Sequence, residues 1–384
     1  MSETMGAMTL TGHGGLDRLV WRDDLPVPVP GPGEVLIAVG ASAVNNTDIN
    51  LRTGWYAQTV RTDTASAASA AAPVDKGGWS GEALRFPHIQ GADCCGRIAR
   101  VGPDVDAARI GERVLVRALQ PVRADDGGWT TRTPGTDYPG AFAHYLVVPA
   151  GEAVAIRSPL SDTELATFPC SWSTAEAMIQ RAGLGAERVL VTGASGGVGS
   201  AAIQLAARRG SHVVAMAAGD KADALRALGA AEVLARDAPL AAGAFDVVID
   251  VVGGPRWGAV IGALRRGGRY VASGAIAGPI VELDLRTLYL RDLSLLGSTH
   301  QPETIFLDLV RYIEAGEIRP IVAATFDLRD LAAAQEAFLD KRHVGKIAVR
   351  VAPQAACGAA RPLASGRRLR PTPPGAPART RGSR

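Results

Sequence analysis

The segment Thr192-Gly193-Ala194-Ser195-Gly196-Gly197-Val198-Gly199 limits what this 384-residue chain can fold into more than any other stretch. It ends the apolar, β-branched run Val189 to Thr192 and opens a stretch, Val198 to Arg209, in which Val198, Ala201, Ala202 and Leu205 share one helical face before Gly210 stops it. Strand, glycine turn and helix in that order form the context a dinucleotide fingerprint requires. Glycine is needed because the turn is tight, because backbone N–H groups must come close to a pyrophosphate, and because the helix packs closely on the strand. The helix N-terminus adds partial positive charge. Gly193, Ser195, Gly196, Gly197 and Val198 are therefore the first cofactor-binding candidates.

The same grammar continues beyond the turn. Strands are expected at His212 to Ala217, Phe245 to Val251 and Arg269 to Ser273, with a helix at Lys221 to Leu228 ended by Gly229. Alternating strands and helices imply a doubly wound parallel sheet, so the fold class is α/β. In such a sheet the ligand lies at the carboxyl ends of the strands, which adds Val252, Gly253, Ser273 and Gly274 as cofactor contacts. The first third reads differently. Pro26 to Gly33 excludes helix, Glu34 to Gly40 is a β-rich run, and Cys95 to Val101, Arg113 to Val116 and Phe142 to Val148 are further strands, which together suggest a small β-barrel. After Thr304 a helix (Ile305 to Ala315), a strand near Val322 to Phe326, a helix (Leu328 to Leu339) and a last strand (Lys346 to Val351) close the fold. Residues 57–85 form an Ala/Ser-rich insertion, and residues 353–384 a Pro- and Arg-rich tail expected to be disordered.

The second strand ends Met216-Ala217-Ala218-Gly219, where a dinucleotide lacking a 2′-phosphate would call for a carboxylate. Asp220 comes slightly later beside Lys221, and Arg236 follows the next strand-like segment. A pocket with these two cations suits a 2′-phosphate, so NADPH is expected over NADH.

Charge narrows the partners. The net +3 comes from seven arginines in the tail, which leaves 34 basic against 38 acidic residues in positions 1–352. A basic tail without aromatic residues carries no sequence-reading chemistry, so nucleic acid is not an expected partner. No run approaches 18 uninterrupted apolar residues, and Met1 to Leu10 has no basic segment ahead of an apolar one, so neither a membrane span nor a signal peptide is expected. Four cysteines without a CxxC fit a reducing compartment, and the expected location is the cytoplasm.

The segments PGEVLIAV (Pro32 to Val39), VNNTDIN (Val44 to Asn50), GADCCG (Gly91 to Gly96), IGERV (Ile110 to Val114), GAFAHYLVVP (Gly140 to Pro149), TGASGGVG, FDVVIDVVG (Phe245 to Gly253) and HVGKIAVRV (His343 to Val351) together resemble the medium-chain dehydrogenase/reductase superfamily. The resemblance covers residues 20–352. It implies a GroES-like catalytic barrel in residues 1–152, to which 300–352 return, and a Rossmann nucleotide-binding domain in 153–299. It adds Lys346 and Thr174 as cofactor contacts, and a homodimer joined through Leu293 to Ser298 as a sheet-edge strand. Where zinc alcohol dehydrogenases of the superfamily carry a Cys and a His-Glu pair, this chain has Asn45 and Ala92-Asp93, and only Cys170 stands at a ligand position. An amide oxygen is a weak zinc donor, so no metal is expected.

Asn45 with the AxGGxG pattern of Ala194 to Gly199 is similar to the zinc-free quinone oxidoreductase and enoyl reductase branch. That likeness implies NADPH-dependent reduction of a quinone or an α,β-unsaturated carbonyl. Tyr56 is then the expected proton donor, with Asn45 and Thr47 holding a carbonyl oxygen. Asp48 reads as a structural acceptor. The insertion starts just after Tyr56 and is expected to cover the substrate mouth, with Trp79 as its large aromatic residue; Trp129 and Tyr138 mark a second long loop. Two other readings stay open at this level: a zinc-dependent alcohol dehydrogenase, and a catalytically silent protein that senses NADPH or touches nucleic acid.

Overall fold

Val189, Leu190 and Val191 are wholly buried because the strand Arg188–Val191 lies inside a six-stranded, all-parallel sheet with cores on both faces. Alternation sorts them. Val189 and Val191 face the core shared with the helices Pro169–Arg181 and Gly197–Arg208, whereas Leu190 faces the core of Trp257, Val260 and Ile261 from the helix Trp257–Gly262. Each such buried aliphatic side chain contributes roughly 1.5–3 kcal/mol over an exposed one. Across the sheet the strands run Glu232–Ala235, His212–Ala217, Arg188–Val191, Phe245–Asp250, Leu264–Ala272 and Ser294–Gly297. Chain order therefore reverses between Arg188–Val191 and Phe245–Asp250, which opens a crevice beyond their carboxyl ends.

The computed structural model describes residues 3–69, 77–79, 83–124 and 126–352. The tail expectation for 353–384, and residues 70–76 and 80–82 of the insertion, lie outside the described residues.

The barrel is centred on Glu34–Ala43, bonded antiparallel to Cys95–Val101, Tyr145–Pro149 and Lys346–Arg350. Arg113–Val116, Ala153–Ala155 and Val322–Asp327 extend the sheet. Val35, Ile37, Phe142, Leu146 and Ile347 fill its core together with Leu331 and Phe338 of the helix Leu331–Leu339. The strand expected from Phe142 begins only at Tyr145: the N–H groups of Ala141 and Phe142 already donate to the carbonyls of Gly91 and Gln90, outside the ladder. Thr4–Leu10 and Leu19–Pro26 form a hairpin that no alternation announces, since almost every residue of the first strand is buried. Phe306, Leu309, Val310 and Ile313 of the helix Glu303–Glu314 join the core under the parallel sheet, so the chain rejoins the barrel ladder at Val322. Among the described residues, no helix is long and apolar enough to cross a membrane.

Candidate active site

The glycine turn sits at the sheet's crevice. Gly193 has φ 57°, a left-handed backbone that favours glycine, and a Cβ there would lie 3.0 and 3.1 Å from the Cγ2 atoms of Val251 and Val252. A Cβ on Gly199 would lie 2.3 Å from the Gly193 carbonyl oxygen, so the helix packs on the turn only because that atom is missing. Gly196 caps the helix Gly197–Arg208, whose first-turn N–H groups have no intrahelical acceptor. Asp250 organises the floor: its carboxylate accepts hydrogen bonds from Thr192 Oγ1 at 2.5 Å, Val252 N at 2.7 Å and Tyr270 Oη at 2.8 Å. Gly253, Ser273 and Gly274 follow the ends of the two neighbouring strands, with Ser273 Oγ donating to the Ser298 carbonyl at 2.7 Å. These residues form a cradle that fits a dinucleotide: a tight left-handed turn, a helix N-terminus and strand ends converging at one switch point.

At the outer end of the crevice stands a crowd of cations. Lys221 is only 5% exposed, and its ammonium donates to the carbonyls of Lys341 at 2.5 Å and His343 at 2.9 Å and to Ser195 Oγ at 3.4 Å. Gly345 N–H donates to the Ser195 carbonyl at 2.9 Å, so the 341–345 segment lies against the glycine turn. Arg236, exposed at the next strand's end, is close enough to help burial hold the Lys221 ammonium below its ordinary pKa. Burial and then Lys221 bring Lys341 down to about 8, and burial, then Lys341, Lys221 and Lys346, bring His343 down to about 4. Cations that depress one another are relieved by an anion placed among them, and the adenosine end of a dinucleotide carries phosphate.

The opposite wall is the helix Asn46–Thr53. Asn45 caps it, its backbone N–H donating to Asp48 Oδ2 at 2.8 Å. Asp48 also accepts from Gly91 N at 3.2 Å, and burial pushes its carboxyl up to about 7. This is the structural acceptor role expected for it. Gly54, at φ 70°, ends the helix and returns the chain to Trp55 and Tyr56. The half-buried Tyr56 phenol is hydrogen-bonded with the side chains of Thr47 and Asn50 and lies near Cys170, and burial pushes it up to about 12. Trp79 packs edge-on against Tyr56, ring centroids 5.2 Å apart. Thr64 of the insertion donates its N–H to the Ile276 carbonyl at 3.1 Å, so the insertion's first helix, Thr64–Ser69, bridges this wall to the loop after Ser273. Trp129 meets His300 at 5.4 Å, whereas Tyr138 turns into the barrel and donates to Gln120 Oε1 at 3.0 Å.

Asn45 departs from its expected role. Its Nδ2 donates to Asp93 Oδ2 at 2.8 Å and the Ala43 carbonyl at 3.3 Å, and its Oδ1 accepts from Lys346 Nζ at 2.5 Å, so the amide has no N–H left for a substrate oxygen. Lys346 also departs: its ammonium is taken up by Asp93 Oδ2 at 2.8 Å, Val44 O at 3.0 Å and Asn45 Oδ1, leaving no N–H for a cofactor, while its stem lies where a Cβ on Gly197 would stand. The other Asp93 oxygen accepts from Cys170 N at 2.7 Å. These residues do not suit zinc. Both Asp93 oxygens and the amide oxygen are engaged, burial and Asp93 raise the Cys170 thiol to about 12, and an ammonium already occupies the donors' midst.

The alcohol dehydrogenase GroES-like domain family matches residues 31–158, and the zinc-binding dehydrogenase family matches residues 228–349. A putative alcohol dehydrogenase from Sinorhizobium meliloti 1021 is 44% identical, with a TM-score of 0.82 over 92% of this chain and 98% of that one. The chain belongs to the medium-chain dehydrogenase/reductase superfamily. An acryloyl-coenzyme A reductase from Sulfurisphaera tokodaii is similar to this dehydrogenase/reductase at 26% identity, over 85% of this chain and 95% of that protein. A 2-octenoyl-CoA carboxylase reductase, solved with NADP and 2-octenoyl-CoA, superposes with a TM-score of 0.74 at 25% identity, covering 93% and 89% of the two chains. Sequence reasoning missed Asp93 as the hub of the medium-chain dehydrogenase/reductase site, and Lys341 and His343 beside the glycine turn. For Lys341 one signal existed: of only four lysines beside 37 arginines, Lys221, Lys341 and Lys346 all stand here.

Proposed function

We propose that the protein is an NADPH-dependent reductase that acts without a metal on an α,β-unsaturated carbonyl compound, an enoyl thioester being the favoured class, or on a quinone. The observation that carries this reading is the pairing of two features across one crevice: metal-ligand positions closed by Lys346, and a protonated phenol at Tyr56. The relatives named as acryloyl-CoA and 2-octenoyl-CoA reductases support the substrate class.

Bound NADPH supplies hydride. Gly193, Gly197 and Val198 would hold the pyrophosphate by backbone N–H groups, with Gly196 shaping the turn through its own N–H bond to the Gly193 carbonyl, and the charges of Lys221, Arg236 and Lys341 would neutralise the 2′-phosphate. Tyr56 keeps its proton at neutral pH because its pKa stands near 12, so the phenol can donate to the enolate oxygen or α-carbon as charge develops there. Thr47 and Asn50 hold the phenol in place, and Trp79 shields it from water. The chain works in the cytoplasm as a homodimer, pairing through the edge strand Ser294–Gly297, with Leu285, Tyr289 and Leu290 exposed just before it in sequence.

Reduction of an enoyl thioester with NADPH deuterated at the transferred position tests the chemistry. Label at the β-carbon, with a solvent proton at the α-carbon, is the expected outcome. Label at the carbonyl carbon, which would mark an alcohol-forming reductase, refutes it.

A further inference from the structure

The buried ion pair of Lys346 and Asp93 is larger than its two members. Lys346 and Asp93 side chains are 4% and 0% exposed, and their 2.8 Å contact lies at the junction of three elements. An ammonium has three N–H donors, and Val44 O, Asn45 Oδ1 and Asp93 Oδ2 take one each. Asp93 in turn accepts from Asn45 Nδ2 and from the N–H of Cys170, in the first turn of the helix Pro169–Arg181 that packs under the parallel sheet. The carboxylate and ammonium thus tie the last barrel strand, the cap of the helix bearing Thr47, and the nucleotide domain into one shell. The lysine stem also lies against Gly197 in the dinucleotide turn.

We propose that the Lys346 ammonium takes the place of a metal ion in this fold, gathering Asn45 and Asp93 into a closed shell that positions the helix Asn46–Thr53, and Tyr56 just beyond it, against the dinucleotide turn. Shape favours lysine here. Three convergent acceptors suit a compact ammonium and not a planar guanidinium, which explains a lysine in a chain where arginine is the default cation. Lys346 and Asp93 are positioning residues, because neither has a polar atom left to offer a substrate.

The test uses the full chain with Lys346→Met, Asp93→Asn, the double variant, Lys346→Arg, and the triple variant Lys346→Met/Asn45→Cys/Ala92→His. Each single neutralisation strands a buried charge, so Tm falls by about 5 °C, and the double variant regains most of that. Its kcat nonetheless stays at least about 10-fold below the parent, with the KM for NADPH within about twofold, because the helix is no longer registered to the turn. Lys346→Arg does not restore kcat. The triple variant takes up one zinc per chain on dialysis, measured by metal analysis, and the parent takes up none. Recovery of kcat together with Tm in the double variant, full activity of Lys346→Arg, or a folded triple variant that ignores zinc would each overturn the proposal. It rests on the reductase reading only for its kinetic arm. Should the parent turn over no enone, thioester or quinone, that reading fails while the zinc and thermal arms still decide this one.

Discussion

Replacing Tyr56 by Phe removes one oxygen and leaves the ring that packs against Trp55 and Trp79 at 5.6 and 5.2 Å. The hydroxyl is hydrogen-bonded with Thr47 and Asn50, so the fold loses two neutral hydrogen bonds at about 1 kcal/mol each, a Tm decrease of about 3 °C. The kinetic loss is larger. A positioned acid contributes about 10²–10⁴-fold, so kcat for an enoyl thioester falls at least about 100-fold, equivalent to about 2.7 kcal/mol of transition-state stabilisation. NADPH affinity stays within about twofold, since the phenol lies across the crevice from the glycine turn. The pH profile separates Tyr56 from its neighbour. A phenol near 12 remains protonated throughout the working range, so the parent shows no loss of donor below about pH 11, whereas donation by Asp48, whose carboxyl sits at about 7, would make kcat fall as pH rises through neutrality. The assay follows NADPH absorbance at saturating substrate between pH 6 and 10, with Tm measured on the same samples. A folded Tyr56→Phe enzyme with kcat within twofold of the parent refutes the assignment.

Three further outcomes follow from the crevice. Arg236→Ala weakens NADPH binding about 10-fold, the worth of one charge-assisted phosphate contact, and leaves NADH binding unchanged in a calorimetric titration. Lys341, brought down to about 8, loses its charge as pH rises past that value, so NADPH affinity declines above pH 8 while NADH affinity holds; parallel curves for the two cofactors would remove Lys341 from the phosphate pocket. Gly199→Ala puts a Cβ 2.3 Å from the Gly193 carbonyl oxygen and 2.6 Å from the Ala194 Cα, backbone atoms that cannot swing aside, so Tm and dinucleotide affinity drop together.

What could be read from the sequence was whatever is local along the chain. The glycine turn, its strand and its helix are contiguous, and the structure places them at Arg188–Val191 and Gly197–Arg208, within a residue or so of the expected limits. The helix Asn46–Thr53 escaped because NTDINLRT is rich in Asn, Thr and Asp, which favour caps and turns over helix interiors; burial in the barrel overrides that preference. The Lys346 shell escaped for a different reason. Its partners lie 253 and 301 positions away in the chain, and no periodicity links Lys346 to Asp93 or Asn45. The same separation explains why Asn45 was expected to face the substrate: only the folded barrel shows its amide turned toward Asp93 and Lys346.

The most direct test of the central claim is NADPH oxidation by full-length protein of measured metal content, with an enoyl thioester, an enone and a quinone offered in turn, before and after exhaustive chelation. The metal-free reading predicts turnover of at least one of these that chelation leaves unchanged, with zinc well below one per chain. Turnover that tracks stoichiometric zinc, or oxidation of simple alcohols in place of alkene or quinone reduction, contradicts it.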